Sequence, residues 1–394
     1  MSGENIVLKS KIGSPAFGDD EFFGREDELN SLIEKLIHGN NVYISAPRRI
    51  GKTSLMRRAE KVLEDNGNIC FFHDLEGFSS PSEWIYELAM NMYKHTDFKK
   101  SIWVPIKNFL GAEKLSASEV IKSVVNSDQW SKQGRNFFKA LYDSCPEEKR
   151  IVIFLDELAV LIQTMQEKHP NELLNFLKWF RSIRQDFNAK VSFVIASSIG
   201  LHPLLERLKL NSDINDLTNF RLDAWKSETA KECILALARG KKIEISPETA
   251  ERMTEIIGWC SPYYVQAFFD SAYDHLFSNK RDSYSREELS EIYFAHLIRG
   301  NNISPTLNHM VERLAKSLTA QEFDLAKQIL NKLAQNDEIT AKSEVKNTKD
   351  QVNEDAVRYV LKILKHDGYI EELKDGYRFL SNILRDWWRN EYGD

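Results

Sequence analysis

The sequence predicts an α/β fold with a doubly wound, parallel five-stranded sheet, followed by two smaller regions of different character. Three observations carry this reading. Short apolar runs at 41–45, 69–74, 151–156 and 191–196 alternate with stretches of helical periodicity, and 219–222 reads as a fifth strand. The third run, Ile151-Val152-Ile153-Phe154-Leu155, is apolar without alternation, as a strand covered on both faces requires. From about Lys226 onward the strand-like runs stop and helix signals continue alone as far as residue 304.

Taken in order, Phe22-Phe23-Gly24-Arg25 forms a turn, and a helix presenting Leu29, Leu32, Ile33 and Leu36 follows. Strand 41–45 enters a loop and then the helix-compatible Ser54-Leu55-Met56-Arg57-Arg58-Ala59-Glu60. After strand 69–74, Ser80-Pro81-Ser82-Glu83 is a capping box with proline at the first helical position, opening a helix with Trp84, Leu88 and Met92 on one face. Residues 97–149 read as a helical insertion of moderate polarity. A helix around Leu173, Leu177 and Phe180 separates the third and fourth strands.

Ser246-Pro247-Glu248 and Ser285-Arg286-Glu287-Glu288 are helix starts within what reads as a small helical lid. Beyond Asn301-Asn302-Ile303-Ser304-Pro305, Thr319-Ala320-Gln321-Glu322 caps a helix with Phe323, Ala326 and Leu330. A second helix carries Val357, Val360, Leu361 and Leu364. Two strand-like runs within 368–380 then flank an Asp375-Gly376 turn. Helices followed by a hairpin describe a winged helix. The expected division is a core at 1–225, a helical lid at 226–304 and a winged-helix domain at 305–394.

The chemistry concentrates at two strand ends. Ala46-Pro47-Arg48-Arg49-Ile50-Gly51-Lys52-Thr53-Ser54 follows the first strand directly and runs into a helix. A strand breaking into a loop that ends Gly-Lys-Thr is the phosphate-binding loop of a nucleotide hydrolase, so the core is expected to be a P-loop NTPase. Gly51 lets backbone N–H groups curl round a phosphate at a helix N-terminus, where the dipole favours negative charge. Lys52 is expected to reach the β/γ-phosphates and Thr53 to place its hydroxyl on Mg²⁺. Pro47, Arg48, Arg49, Ile50 and Ser54 complete the loop as candidate nucleotide contacts. The motif normally begins with glycine, and here that position is Ala46, whose methyl group fits if its φ is negative.

The third strand ends in Asp156-Glu157. A carboxylate at that strand end is where a Mg²⁺ ligand is needed, which assigns Asp156 to the ion. Glu157 is placed to orient and deprotonate the attacking water. A strand simply ending in charge is the competing reading of the pair, and the loop upstream argues against it.

Bulk composition bounds the rest. The 42% hydrophobic and 28% charged content is that of a soluble globular protein, and 394 residues exceed one ordinary core. A net charge of −6 gives no general attraction to nucleic acid or anionic membrane. No apolar run approaches the length of a membrane span, and Met1-Ser2-Gly3-Glu4-Asn5 does not begin a secretion signal. Cys70, Cys145, Cys233 and Cys260 are widely spaced without a CxxC pair, which fits a reducing cytoplasm rather than a zinc site.

Together, Phe22 to Glu26, Ala46 to Ser54, Phe154 to Glu157, Ser197-Ser198-Ile199-Gly200, Gly258 to Gln266 and the closing Leu380 to Trp388 resemble the archaeal-type P-loop ATPases of the STAND branch of AAA+-related proteins. The resemblance covers most of the chain apart from 97–149. It implies that Phe23 and Arg25 pack near the adenine and ribose, and that Gly51, Lys52 and Thr53 hold phosphate and Mg²⁺. It implies further that Asp156 and Glu157 are the acidic pair, that Ser198 senses the γ-phosphate, and that Pro262 faces the nucleotide. Classical AAA+ proteins place an arginine at the Pro262 position, so the lid's response to ATP is expected to run through packing and backbone contacts. Arg181, Arg184, Arg207 and Arg221 are eligible by position as arginine fingers, and each reads better as a surface arginine. His366-Asp367 is similar to a nucleotide-locking pair of STAND switches, yet here it reads as a helix end. Trp387-Trp388 reads as a terminal helix packing on the wing.

The activity expected is therefore ATP hydrolysis, with ATP/ADP and Mg²⁺ as ligands and slow turnover. The first reading is a nucleotide-driven switch or assembly factor acting on a protein partner or on itself, including a nucleotide-dependent homo-oligomer, with no membrane role. The alternative is an ATPase of the replication-initiator or transposition-regulator type, binding duplex DNA through the winged helix. From Asn301 onward the chain carries 14 Lys/Arg against 16 Asp/Glu, without the dense basic face that phosphate neutralisation demands. Lys342, Lys346, Lys349, Arg358, Lys362 and Lys365 are the local concentration. A nucleotide-binding scaffold with negligible hydrolysis is the third reading, and the intact Asp156-Glu157 pair argues against it.

Overall fold

Five strands pair in parallel in the order β2-β3-β4-β1-β5, with β1 at Val42–Ser45, β2 at Ile69–Asp74, β3 at Ile151–Asp156, β4 at Val191–Ala196 and β5 at Thr218–Arg221. The computed structural model describes residues 6–94, 130–281, 284–300, 302–337, 339–346 and 354–393. Every residue of β3 and β4 is buried. Since successive side chains of a strand point to opposite faces, both faces of the sheet are covered there, which explains the unbroken apolar runs.

The chain forms two compact units, the first comprising Met1–Arg25, Ala46–Ser54 and Leu222–Asp394 and the second Glu26–Ser45 and Leu55–Arg221. The second unit contains the sheet. Its helices are α1 (Glu26–Ile37), α2 (Lys52–Asp65, which starts in the first unit), α3 (Pro81–Lys94), α4 (Trp130–Ser144), α5 (Leu158–Lys168), α6 (Pro170–Asp186) and α7 (Leu201–Arg207). The capping box at Ser80 forms, with Glu83 accepting from the Ser80 amide at 3.2 Å while its own amide bonds the Ser80 hydroxyl at 3.3 Å. Trp84 of that helix packs edge-on against Phe176, Trp179 and Phe180.

Three expectations shift on contact with this unit. β1 begins at Val42, because Asn41 bonds the Arg184 carbonyl and the Phe193 amide through its side chain. β5 sits one residue earlier than 219–222, ending at Arg221. Of the supposed insertion, 97–129 lies outside the described residues, whereas α4 is core. Phe137, Phe138 and Leu141 are buried in α4, and a Cβ at Gly134 would lie 2.7 Å from the Trp179 ring.

The first unit gathers the phosphate loop with the helical and C-terminal regions. Its helices are α8 (Ser227–Lys241), α9 (Pro247–Ile257), α10 (Pro262–Asn279) and α11 (Arg286–Ile292), continued by a π-helical turn at Tyr293–Ile298. Next come α12 (Ser304–Ser317), α13 (Ala320–Ala334), α14 (Lys342–Lys346), α15 (Glu354–His366) and α16 (Asn382–Tyr392). The helix starts read at Ser246, Ser285 and Thr319 all carry the expected side-chain caps.

Short strands β6 (Thr340–Ala341), β7 (Ile370–Glu372) and β8 (Gly376–Phe379) form an antiparallel sheet in the order β6-β8-β7. The hairpin register pairs Glu372 with Tyr377, so the turn centres on Lys374-Asp375 rather than on Asp375-Gly376. Gly376 is instead needed in the strand, where any Cβ would collide with the Thr340 carbonyl of β6. Trp387 and Trp388 are fully buried, as expected of a packing helix.

Candidate nucleotide site

The carboxyl ends of β1 and β3 lie on one edge of the sheet, separated by β4, because all three strands run in parallel. That edge is where open α/β sheets bind ligands. The phosphate loop continues from β1, and the acidic pair closes β3.

Within the loop, Gly51 has φ +95°, a conformation glycine adopts without penalty. Ala46 is buried and is absent from the positive-φ residues, which meets the condition its methyl group imposed. Lys52 Nζ donates to the carbonyls of Ala46 at 2.9 Å and Pro47 at 2.8 Å, so the ammonium lies inside the curl of the loop. Ser54, in the first turn of α2, accepts from the Ala16 amide at 3.0 Å. Ile50 accepts from Arg25, whose buried guanidinium also bonds the Asp223 carbonyl at 2.6 Å. Arg25 thus braces the loop's backbone, a role its assignment beside adenine and ribose did not anticipate. Phe23 packs edge-on against Trp225 with centroids 6.0 Å apart, next to Gly24, where a Cβ would strike Thr229.

The N-terminus of α10 and the segment before β7 reach the same loop from within the first unit. Ser261 donates its hydroxyl to the Arg49 carbonyl at 2.6 Å, and Pro262 follows as the first residue of α10. Gly368 (φ +80°) abuts Pro47 so closely that a Cβ would lie 2.6 Å from the proline Cβ. Tyr369, beside Gly368, is fully buried and feels the charge of Arg48; its phenol is pushed well above its ordinary range by burial. His366 closes α15 and bonds Asp367 at 3.2 Å, as a helix end.

In the second unit, Asp156 is buried at the tip of β3, and its carboxylate accepts from the Glu157 amide at 3.1 Å. Glu157 adopts φ 60° and ψ 33°, left-handed values that non-glycine residues occupy mainly at functional or tightly determined sites. Its Oε2 accepts from Ser198 Oγ at 2.7 Å, the Ser198 amide at 3.0 Å and Ser197 Oγ at 3.2 Å. Ser198 therefore meets the carboxylate, and buried Ser197 is a partner that sequence reasoning passed over. The signal lay in plain view as two adjacent hydroxyls after β4. A polar pair there is common enough to be read as a loop.

Among the described residues no group of three or more His, Cys, Asp or Glu gathers as a metal cage. No helix among the described residues is long and apolar enough to cross a membrane.

Comparison with known proteins identifies the family. The ATPase domain found predominantly in Archaea matches residues 22–268. The chain belongs to that family and is a P-loop ATPase that binds and hydrolyses ATP. Its fold is similar to the Walker-type ATPase PABY2304 of Pyrococcus abyssi, with a TM-score of 0.68 at 15% identity, covering 96% of this chain and 99% of that one. It is also similar to the Aeropyrum pernix ORC2 protein in its ADPNP–ADP complexes, with a TM-score of 0.53 at 14% identity and coverage of 96% and 98%. No curated protein matches the sequence.

Proposed function

We propose that this ATPase is a nucleotide-driven switch acting on a protein partner or on its own assembly, through a core at 1–225, a lid at 226–304 and a winged-helix domain at 305–394. One observation carries the reading. The phosphate loop, Ala46–Ser54, groups with the lid and the C-terminal region rather than with the sheet it grows from. A loop that must shape itself to a triphosphate, and that is bonded to two later regions, transmits its state to them.

In this reading Gly51, Lys52 and Thr53, with the flanking loop residues 47–50 and Ser54, hold the phosphates. Thr53 and Asp156 hold Mg²⁺, which supplies charge neutralisation at the transferred phosphoryl group. Glu157 accepts the proton of the attacking water, Ser198 supports it, and Phe23 and Pro262 line the nucleoside side. The four cysteines are buried and unbridged, in keeping with a reducing cytoplasm.

Lys52→Ala is expected to abolish nucleotide binding, measured by equilibrium titration with a fluorescent ATP analogue. Retained affinity would overturn the assignment of the loop. Sizing the protein by light scattering with ATP and with ADP tests the assembly reading, for which the expected result is a nucleotide-dependent change of mass. Duplex DNA is the alternative partner, and the C-terminal charges weigh against it. Lys342 and Lys365 both pair with Glu372, Arg378 with Glu371, and Arg358 with Asp355. These acidic partners lower the net positive potential that the region offers a phosphate backbone. Tight, salt-sensitive duplex binding that stimulates hydrolysis would favour that alternative.

A further inference from the structure

The lid has Pro262 where classical AAA+ proteins place an arginine, but the loop has an arginine that the lid receives. Arg49 is held in the left-handed region at φ 62°. Its guanidinium carbon lies 4.9 Å from the centre of the Tyr263 ring, within cation–π range. Its Nη2 donates to Thr306 Oγ1 at 3.5 Å, and the Tyr263 hydroxyl donates to the same oxygen at 2.8 Å. Its carbonyl accepts the Ser261 hydroxyl at 2.6 Å.

Ser261 makes this contact at the expense of its own helix. It occupies the N-cap position of α10, where a serine hydroxyl ordinarily accepts from the helix's first amides, and it makes no such capping bond. The hydroxyl turns to the loop instead. One loop residue is thereby gripped at its backbone and at its side chain by Ser261 and Tyr263 of the lid and by Thr306 of α12. A left-handed non-glycine residue persists only where its surroundings over-determine it, and these contacts do so.

We propose that Arg49 is a positioning residue that couples the phosphate loop to the lid, taking from the loop side the role that a lid arginine would otherwise hold. The proposal rests on the switch reading. In this proposal Arg49 keeps the left-handed conformation of the phosphate cradle, and a shift of the loop with the bound nucleotide alters the grip of Ser261 on its carbonyl and of Tyr263 on its guanidinium. The N-terminus of α10 is then released or re-seated according to the nucleotide.

The test is hydrogen exchange across 262–279 in the full chain, comparing no nucleotide, ADP and a non-hydrolysable ATP analogue at saturating concentrations. Wild-type protein is expected to show nucleotide-dependent protection of this helix. Tyr263→Leu and Arg49→Ala should each shrink that difference, by roughly threefold or more from the loss of the cation–π contact. The double variant should be no worse than either single one, the non-additivity of a shared contact. Tyr263→Phe, which keeps the ring face, should retain most of the response and guards against misfolding as the explanation. Full nucleotide dependence in both Tyr263→Leu and Arg49→Ala overturns the inference while leaving the switch intact. No nucleotide dependence in the wild type instead overturns the switch reading itself.

Discussion

The two halves of the proposed nucleotide chemistry are anchored in different ways. Glu157 is held at the sheet: its carboxylate is bonded by Ser197 and Ser198 at the end of the neighbouring strand, all within one compact unit. The phosphate loop grows from that same sheet. Yet its residues are bonded by the Ala16 amide, by Arg25 and by Ser261 at the start of α10, and Gly368 of the C-terminal region packs against Pro47. The contrast teaches a division of labour. The proposed proton acceptor sits at the ends of two paired strands, and the phosphate loop is bonded to the regions that the switch reading would have report the nucleotide.

Breaking the sheet half at its centre should have the largest effect. Glu157→Gln keeps shape and removes the base, so hydrolysis should fall by roughly 10²–10⁴-fold with nucleotide binding retained. A steady-state ATPase assay beside a binding titration checks both parts, and unchanged hydrolysis would remove Glu157 from the mechanism.

The second test probes the sheet unit by pH. His73 is buried in β2, and burial lowers its pKa from 6.5 to about 4. Its folded pKa lies below its unfolded value, so its imidazole is neutral in both states above pH 6.5 and costs nothing there. Between pH 6.5 and 4 the unfolded chain takes up the proton first, and stability falls, by up to about 3 kcal/mol. Denaturant titrations across that window should show the loss, and His73→Phe should flatten it.

A smaller effect is expected where the C-terminal region meets the loop. Gly368→Ala introduces a Cβ at positive φ against Pro47 and should lower stability by about 1–2 kcal/mol, read as a fall in Tm. An unchanged Tm would mean that Gly368 and Pro47 do not constrain one another. Smallest is Ser198→Ala, which removes one hydroxyl from the carboxylate cradle. Turnover should drop about tenfold with KM nearly unchanged, and Ser198→Thr should restore it.

Much of this was legible in the residues. The five strands of the sheet were placed to within one residue, and β3 and β4 were plainest, because strands buried on both faces need continuous apolar runs. The capping boxes at Ser80, Ser285 and Thr319 announced their helices through side chains that bond their own backbone. The Gly51-Lys52-Thr53 loop and the Asp156-Glu157 pair were read at the ends of two strands, and the structure has them there, after β1 and at the end of β3. The hairpin turn was misplaced by one residue because Asp375-Gly376 has the composition of a turn. There the glycine answers to a neighbouring strand, which no local pattern shows.

The sequence by itself thus determined the sheet, the ATPase chemistry and the helix starts, since each depends on residues close together in the chain. Only the tertiary structure decided which groups hold those residues in place. Ser197 bonds a carboxylate 40 positions away, Ser261 a carbonyl 212 positions away, and Gly368 makes room for Pro47. Such pairings are chosen by packing among distant segments, and serines and glycines carry no mark in sequence of which partner the folded chain will bring to them.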